Sequence, residues 1–389
     1  MLDLPKKLQL KLERRVDEKS FRKLPVEKNL IDFASNDYLG LARESDFEQS
    51  SQQFLLDVNF SKNGATGSRL LTGNHSLYEK LELSLVEFFG SESALVFNSG
   101  YDANIGFFSC VPQRGDIVFY DEFIHASIRD GVNLGNAKSF KFKHNNLEDL
   151  KLKYLKISDK TNLNEQVKPE IYVVTEAVFS MDGDSPDLKT FTEFCKKNEL
   201  RLVIDEAHSV GVFGEKGDGL VSKFGIENQV FARIVTFGKA FGCHGAAVIG
   251  SNNLVEYLVN FARSFIYTTA LPPYAIANII AVLEFLNSVN GDIRRNHLHE
   301  KISFFKSEIK KMNLSGLFTQ SNSTIHCALI SGNENVKILA QNLQEKGFNV
   351  KPILSPTVAM GKERLRFCVH SYNSKEEITE CLSILSKFR

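Results

Sequence analysis

Short apolar segments recur along the middle of the chain, and longer helical or loop stretches separate them. Six of these segments have the length and composition of buried β-strands. They span residues 94–97, 117–120, 171–175, 202–204, 234–237 and 246–249. Strands that alternate with helices predict an α/β fold with a mostly parallel sheet. Ligands bind such sheets at the carboxyl ends of the strands, so the residues that follow each strand are the candidate site residues.

The length of the chain, 389 residues, predicts two lobes rather than one small core. We expect an N-terminal helix and arm over residues 1–45 and a large α/β domain over residues 46–290. Beyond residue 290 a charged helix, two strand candidates and two further helical segments predict a smaller α+β domain, over residues 291–389.

Charge and composition exclude several kinds of partner. Lys and Arg together number 47, as do Asp and Glu, so no overall field attracts nucleic acid or an anionic membrane. The N-terminus lacks the apolar core of a signal peptide, and the longest apolar stretch, residues 275–286, is too short to span a bilayer. We expect a cytoplasmic protein without a nucleic-acid or membrane partner.

The six cysteines indicate a reducing compartment and no metal site. None forms a C-x-x-C pair, and none stands at zinc spacing with a histidine. The acidic loop that begins at Asp182 is not a calcium loop, because Asp187 stands where an EF-hand requires glycine. It is better interpreted as a polar loop beside a site.

Three of the predicted strands are followed by residues that could bind a ligand or take part in catalysis. Ser99, Gly100 and Tyr101 follow the first strand, where a helix N-terminus could bind phosphate or simply form a turn. Asp205 and His208 follow the 202–204 strand and could contact a heterocycle, or be a capping Asp and a core His.

The 234–237 strand is followed by a lysine, Lys239, in an apolar, glycine-rich turn. Burial there would lower the pKa of its amine and favour attack on an aldehyde, whereas a solvated surface lysine is the alternative. A phosphate cradle, a carboxylate, a histidine and an imine-forming lysine are together what pyridoxal phosphate (PLP) requires from a protein.

Seven ordered motifs between about residues 33 and 370 carry a family resemblance. They are residues 36–41 (NDYLGL), 64–75 (GATGSRLLTGNH), 125–127 (HAS), 180–184 (SMDGD), 205–211 (DEAHSVG), 236–242 (TFGKAFG) and 364–366 (RLR). With these motifs the chain resembles the α-oxoamine synthases, which are PLP-dependent transferases of fold type I. The resemblance implies a mostly parallel large domain and a smaller α+β C-terminal domain.

The resemblance also implies a role for individual residues. Lys239 would form the imine with the cofactor, Asp205 would pair with the pyridinium nitrogen, His125 would stack on the ring and His208 would lie near its hydroxyl. The other implied cofactor contacts are Ser99, Gly100, Tyr101, Ser180 and Thr236, with Thr268 and Thr269 offered by the second subunit of a homodimer. Asn36 and Arg366 resemble the groups around the substrate carboxylate.

The implied reaction is a decarboxylative condensation of an amino acid with an acyl thioester carried by coenzyme A or acyl carrier protein. Residues 64–75 and 236–248 are most similar to family members that make 8-amino-7-oxononanoate from L-alanine and a pimeloyl thioester in biotin synthesis. Condensation of glycine with an acetyl group or of serine with a palmitoyl group remains an alternative, as do an aminotransferase and a catalytically retired scaffold or regulatory subunit. Leu354 stands where many relatives carry arginine, which leaves the exact substrate open.

Overall fold

A computed structural model describes residues 3–24, 26, 28–158 and 168–387. The chain divides into two compact units. The large unit comprises residues 36–180 and 185–296, and the small unit comprises residues 1–35, 181–184 and 297–389. The small unit therefore includes the N-terminal arm and the four residues 181–184 as well as the C-terminal segment.

The elements follow one another along the chain as follows. The helices are α1 (Lys6–Asp17), α2 (Ser45–Asp57), α3 (Ser76–Phe89), α4 (Gly100–Cys110), α5 (Ala126–Leu134), α6 (Leu147–Ser158), α7 (Leu188–Lys197), α8 (Gly219–Phe224), α9 (Asn252–Phe261), α10 (Arg263–Ile266), α11 (Pro273–Leu286), α12 (Val289–Lys311), α13 (Asn333–Glu345) and α14 (Lys375–Ser386). The strands are β1 (Ile31–Asp32), β2 (Ser93–Phe97), β3 (Ile117–Asp121), β4 (Lys138–Phe142), β5 (Ile171–Glu176), β6 (Arg201–Asp205), β7 (Ala232–Thr236), β8 (Ala246–Gly250), β9 (Ile325–Leu329), β10 (Phe348–Asn349), β11 (Lys351–Ile353) and β12 (Arg364–Cys368).

The large unit is built on a seven-stranded sheet with the order β2-β8-β7-β6-β5-β3-β4. Only β8 runs antiparallel to its neighbours, so the expectation of a mostly parallel sheet is confirmed. The inner strands are buried, as strands covered on both faces must be, and this explains their continuous apolar runs. The parallel arrangement places the ends of β3, β5, β6 and β7 at one edge of the sheet.

The edge strand β4 was missed by the sequence interpretation. Among the described residues it pairs only with β3, and three of its five residues are exposed. Two of those five are lysines, so the segment lacks the apolar run by which the six buried strands were recognised.

In the small unit, β9, β11 and β12 form an antiparallel sheet, and β1 pairs with β10. Helix α14 begins with a capping box in which Ser374 and Glu377 each bond the other's backbone N–H. Helix α1 lies within residues 1–45, where an N-terminal helix and arm were expected, and it has no buried residue.

Neither a membrane span nor a metal cluster stands out in the described residues. No single helix there is both long and apolar enough to cross a membrane; α11 and α12 meet those criteria only as a pair, with a bend of 78° between them. Within the same residues, no group of three or more His, Cys, Asp or Glu side chains could hold a metal ion.

A buried histidine in β9 makes the stability of the chain depend on pH. His326 is 2% exposed, its ring stacks on Phe305, and its Nε2 atom has no hydrogen-bond partner in the described residues. Burial, aided by the positive charge of Lys306, lowers the pKa of His326 from 6.5 to about 3. The unfolded chain therefore takes up the proton first as the pH falls.

The stability contributed by neutral His326 is fully present above pH 6.5 and is lost progressively between pH 6.5 and about 3. At about pH 5 the expected loss is about 2 kcal/mol. Replacing His326 by phenylalanine should remove this part of the pH dependence, because an apolar ring binds no proton. Chemical unfolding above and below pH 6.5 measures this pH dependence. The control is His297→Asn, because His297 is exposed on α12. An identical pH slope in wild type and His326→Phe would contradict the assignment.

Candidate active site

The predicted catalytic residues follow three parallel strands of the large unit. Asp205 is the last residue of β6, and His208 stands three residues later. Lys239 follows β7 after a two-residue step, and His125 follows β3 and caps the N-terminus of α5. Because β3, β6 and β7 are parallel, all four residues come from the same edge of the sheet.

Lys239 and His208 are in direct contact. The Lys239 Nζ atom lies 2.8 Å from His208 Nε2, and the other ring nitrogen, Nδ1, lies 2.7 Å from the hydroxyl of Tyr38. His208 and Tyr38 are both buried, whereas Lys239 is half-buried. The Lys239 amine is therefore held by one nitrogen of the His208 ring, while Tyr38 holds the other nitrogen.

The carboxylate of Asp205 is fixed by two donors. Asn104, on α4, donates from Nδ2 to Asp205 Oδ2 at 3.0 Å, and the backbone N–H of Ala207 donates to Oδ1 at 2.9 Å. Asp205 is 5% exposed and has no formal ion pair with arginine or lysine in the described residues. A buried carboxylate at this place suits a cationic N–H group of a ligand.

His125 is oriented by a hydrogen-bond chain that begins at the same asparagine. Asn104 Nδ2 also donates to Ser127 Oγ at 3.0 Å, and Ser127 Oγ lies 2.7 Å from His125 Nδ1. Because Nδ1 also accepts from the Ser127 backbone N–H at 3.3 Å, a neutral ring carries its proton on Nε2. Desolvation by the surrounding protein and the charge of Lys239 lower the pKa of His125, against the opposing effect of Asp205. The neutral ring is therefore favoured, with Nε2–H as a donor.

A second buried carboxyl, Glu176, lies beside Asp205. The two residues are paired in register at the ends of β5 and β6, and Glu176 accepts the His125 backbone N–H at 2.6 Å. Burial, with the negative charge of Asp205, raises the pKa of Glu176 well above its usual value of 4.5, although Lys239 acts in the opposite direction. Glu176 thus anchors the turn that carries His125.

The N-terminus of α4 provides the candidate phosphate site. Ser99 is its N-cap, and a Cβ atom placed on Gly100 would lie 3.5 Å from the methyl group of Thr236. The first-turn N–H groups of a helix have no intrahelical acceptor and carry a partial positive charge. The N-terminus of α4 thus lies beside Thr236, and its N–H groups could bind an anion there.

The remaining predicted residues are placed as follows. The Tyr101 hydroxyl donates to Asp130, Ser180 follows β5 and is half-buried, and Asn36 accepts from the Tyr38 hydroxyl at 3.2 Å. Thr268 Oγ1 and the Thr269 carbonyl accept hydrogen bonds from Asn98, which follows β2 in the same chain.

Arg366 belongs to the small unit, on β12, and is 8% exposed. Its Nη1 atom lies 3.0 Å from Cys368 Sγ. The neighbouring Arg364 is engaged differently, because its Nη1 atom donates to the Met181 carbonyl at 2.8 Å and forms an ion pair with Asp182.

The residues present fit PLP. The site combines a buried carboxylate, an amine in contact with a histidine, and a helix N-terminus beside a threonine. Asn104 Oδ1, beside Asp205, is a buried acceptor without a partner in the described residues. This donor and acceptor set matches a cofactor that has a ring nitrogen, an aldehyde and a phosphate.

Comparison with known proteins gives the family. Residues 28–385 match the model of aminotransferase class I and II. The chain is 36% identical over 386 residues to the 8-amino-7-oxononanoate synthase of Emericella nidulans, an alignment that covers 96% of this chain and 93% of that protein. The chain belongs to the α-oxoamine synthases.

Solved structures agree with this assignment. A variant of serine palmitoyltransferase from S. paucimobilis with a bound PLP–myriocin aldimine matches with a TM-score of 0.85 at 26% identity, over 98% of this chain and 96% of that one. The 8-amino-7-oxononanoate synthase of Francisella tularensis matches with a TM-score of 0.74 at 29% identity, over 93% and 98%. This α-oxoamine synthase is therefore a PLP-dependent acyltransferase.

Four residues around the site were given no role from the sequence of this α-oxoamine synthase. Glu176 could have been found from the sequence, because it directly follows a predicted strand, as Asp205 does. Ser127 and Tyr38 lie inside the motifs that carry the resemblance, but nothing in their spacing indicates their hydrogen bonds. Asn104 lies within α4, and no local pattern predicts that it contacts Asp205, which is 101 residues distant in sequence.

Proposed function

We propose that the enzyme condenses L-alanine with a pimeloyl thioester to give 8-amino-7-oxononanoate, carbon dioxide and the free thiol. The observation that carries this proposal is the 36% identity to the E. nidulans 8-amino-7-oxononanoate synthase across 96% of the chain.

Condensation of serine with a palmitoyl thioester is the second candidate. The serine palmitoyltransferase structure has the higher TM-score, 0.85 against 0.74, although its sequence identity, 26%, is lower than the 29% of the Francisella enzyme. A TM-score compares backbones, whereas the choice of substrate depends on a few side chains. The sequence relatives therefore support the alanine reaction more strongly.

The site residues have distinct proposed roles in this reaction. When bound, PLP supplies an electron sink for the carbanion formed at the amino acid's Cα. Asp205, fixed by Asn104 and the Ala207 N–H, would keep the ring nitrogen protonated. Lys239 would hold the cofactor covalently and, once released, take the Cα proton on Nζ, while the α4 N-terminus and Thr236 would bind the phosphate.

His125 is suited to donate a hydrogen bond to the thioester. Ser127 occupies its Nδ1 atom, so the neutral ring presents Nε2–H as a donor. We propose that this N–H bonds the thioester carbonyl oxygen and stabilises the negative charge that develops there when the carbanion attacks. Cleavage of the thioester carbon–sulfur bond would release the thiol and leave a β-keto acid, which would then lose carbon dioxide.

A matrix of substrates tests the proposed function. Purified enzyme is supplied with L-alanine, glycine or L-serine in combination with a pimeloyl, acetyl or palmitoyl thioester, and carbon dioxide release is measured. The alanine and pimeloyl combination should give the highest kcat/KM. A maximum at serine and palmitoyl thioester would instead assign the second candidate function.

Recognition of the amino-acid carboxylate is assigned to Arg366. A guanidinium grips both carboxylate oxygens in one plane, which an ammonium cannot do. We expect Arg366→Lys to fold and bind PLP but to bind L-alanine at least about tenfold more weakly, equivalent to about 1.4 kcal/mol. Titration of the visible absorbance of the bound cofactor with L-alanine measures this affinity.

Arg364→Lys is the matched control, because Arg364 lies two residues away on the same strand but bonds Asp182 and the Met181 carbonyl. It should leave the affinity for L-alanine nearly unchanged. Unchanged affinity in Arg366→Lys would remove Arg366 from the site.

We further propose that the enzyme is a cytoplasmic homodimer in which Thr268 or Thr269 of one chain approaches the phosphate bound to the other. The proposal is supported by the family resemblance alone. A monomer that is fully active at assay concentration would contradict it.

A further inference from the structure

Asn104, on helix α4, is linked to two residues with proposed roles through one amide nitrogen. Its Nδ2 atom donates to Asp205 Oδ2 and to Ser127 Oγ, each at 3.0 Å, and Ser127 Oγ lies 2.7 Å from His125 Nδ1. Asn104 is 2% exposed and Ser127 is 0% exposed. The Asn104 amide is therefore the branch point of a hydrogen-bond network, with one branch to Asp205 and a second branch, through Ser127, to His125.

The chemistry of its partners explains why an amide stands at this branch point. A carboxylate only accepts hydrogen bonds, so the amide must turn its NH₂ group toward Asp205. The second hydrogen of the same NH₂ group is donated to Ser127. Asparagine is the short uncharged side chain that carries two donors on one atom, whereas aspartate carries none and leucine cannot form hydrogen bonds.

The close packing of α4 on α5 brings Asn104 to Ser127. A Cβ atom on Gly131, in α5, would lie 2.9 Å from the backbone oxygen of Asn104 and 3.2 Å from the Cα atom of Ile105, which is closer than Cβ atoms normally come. Ser127 and Gly131 are four residues apart in α5 and so lie on the same face of that helix. Glycine at position 131 thus permits the helix approach at which the Asn104 amide bonds the Ser127 hydroxyl.

We propose that Asn104 is a positioning residue that fixes the Asp205 carboxylate as an acceptor for the ring nitrogen of PLP and, through Ser127, fixes the ring of His125. The proposal rests on the roles that the proposed function gives to Asp205 and His125. Hydrogen bonds that a carboxylate accepts stabilise its charged form, so the bond from Asn104 helps to keep the proton on the ring nitrogen rather than on Asp205. The second branch holds the His125 ring in one orientation toward the thioester.

The first branch is tested by ¹⁵N NMR of the enzyme loaded with PLP that is labelled at its ring nitrogen. Asn104→Leu keeps the approximate size of the side chain but removes both donors, so Asp205 takes a larger share of the proton. We expect the signal to move toward the position of an unprotonated pyridine, with about a tenfold fall in the ratio of protonated to unprotonated nitrogen, the effect of one hydrogen bond to a charged group. Asp205→Asn, which removes the carboxylate, should move the signal at least as far.

The second branch is tested by the imidazole ¹⁵N signals of His125 in the same PLP-loaded enzyme, assigned by their absence from His125→Gln. Asn104→Leu and Ser127→Ala should both displace these signals, because each removes a link between α4 and the ring. Ser127→Ala keeps the bond from Asn104 to Asp205, so it should leave the ring-nitrogen signal of PLP as in wild type. Loss of packing alone would not separate the two signals in this way.

The matched control is Asn133→Leu, because Asn133 is exposed on α5, and it should leave both sets of signals unchanged. The proposal is overturned if Asn104→Leu leaves the ring-nitrogen signal in place although Asp205→Asn moves it. It is also overturned if Ser127→Ala leaves the His125 signals unchanged or moves the ring-nitrogen signal as far as Asn104→Leu does.

Two further points keep the test decisive. Should Asn104→Leu fail to fold, Asn104→Ala takes its place, and Ser127→Ala still tests the second branch. A ring-nitrogen signal that Asp205→Asn does not move would contradict the proposed role of Asp205, and with it the first branch. Because neither amino acid nor thioester is present, failure of the substrate matrix leaves these spectra unaffected.

Discussion

Lys239→Ala is expected to lower the rate of carbon dioxide release at least about a thousandfold, although the chain still folds. General acid–base catalysis by one positioned group contributes about 10²–10⁴-fold, and this variant loses a covalent role as well. The cofactor should still bind through its phosphate, because the α4 N-terminus and Thr236 are unchanged. The visible absorbance given by PLP linked to a lysine should be absent.

Lys223→Ala is the matched control for Lys239→Ala. Lys223 belongs to the same unit, on α8, and its Nζ atom lies 5.3 Å from the centre of the Phe213 ring, outside the site. It should keep both the rate and the visible absorbance of wild type. Retention of either property in Lys239→Ala would show that another amine performs the role.

Arg233→Met is expected to destabilise the chain by about 3–5 kcal/mol, since it leaves a buried carboxylate without its counter-charge. Arg233 is 4% exposed and Glu206 is 0% exposed, and Arg233 Nε donates to Glu206 Oε2 at 2.7 Å. The other Glu206 oxygen, Oε1, accepts from Ser209 Oγ and from the N–H groups of Leu220 and Val221. The pair therefore fixes the loop that begins at Asp205 and contains His208.

Chemical unfolding measures the effect, and an exposed ion pair provides its control. Arg201 Nε lies 2.9 Å from Glu170 Oε2, with both side chains nearly half exposed, so Arg201→Met should cost at most about 1 kcal/mol. The double variant Glu206→Gln/Arg233→Met should recover part of the stability, because no unpaired charge remains. Equal losses from Arg233→Met and Arg201→Met would show that burial of the pair has no energetic consequence.

The sequence was sufficient to predict the buried strands of the large sheet and the candidate residues that follow them. Buried parallel strands have continuous apolar runs, which made them recognisable. Ligands bind at the carboxyl ends of such strands, and this rule led to Asp205, His208 and Lys239. The edge strand β4 escaped because solvent covers much of it and lysines occupy two of its five positions.

The hydrogen bonds that orient these residues could not be predicted from the sequence. Tyr38 and His208 are 170 residues apart, and Asn104 and Asp205 are 101 apart. Each of these contacts depends on how helices and loops pack, which no local periodicity encodes. The engagement of Arg364 by Asp182 and Met181 is of the same kind, and it separates two arginines that the sequence alone places on the same face of one strand.

The fate of the amino acid's carboxylate tests the central claim most directly. L-alanine labelled in its carboxyl carbon is incubated with the PLP-loaded enzyme and a pimeloyl thioester, and the label is followed. We predict that one labelled carbon dioxide is released for each free thiol formed, and that the product is unlabelled 8-amino-7-oxononanoate. A condensation product that retains the labelled carboxylate would contradict the account.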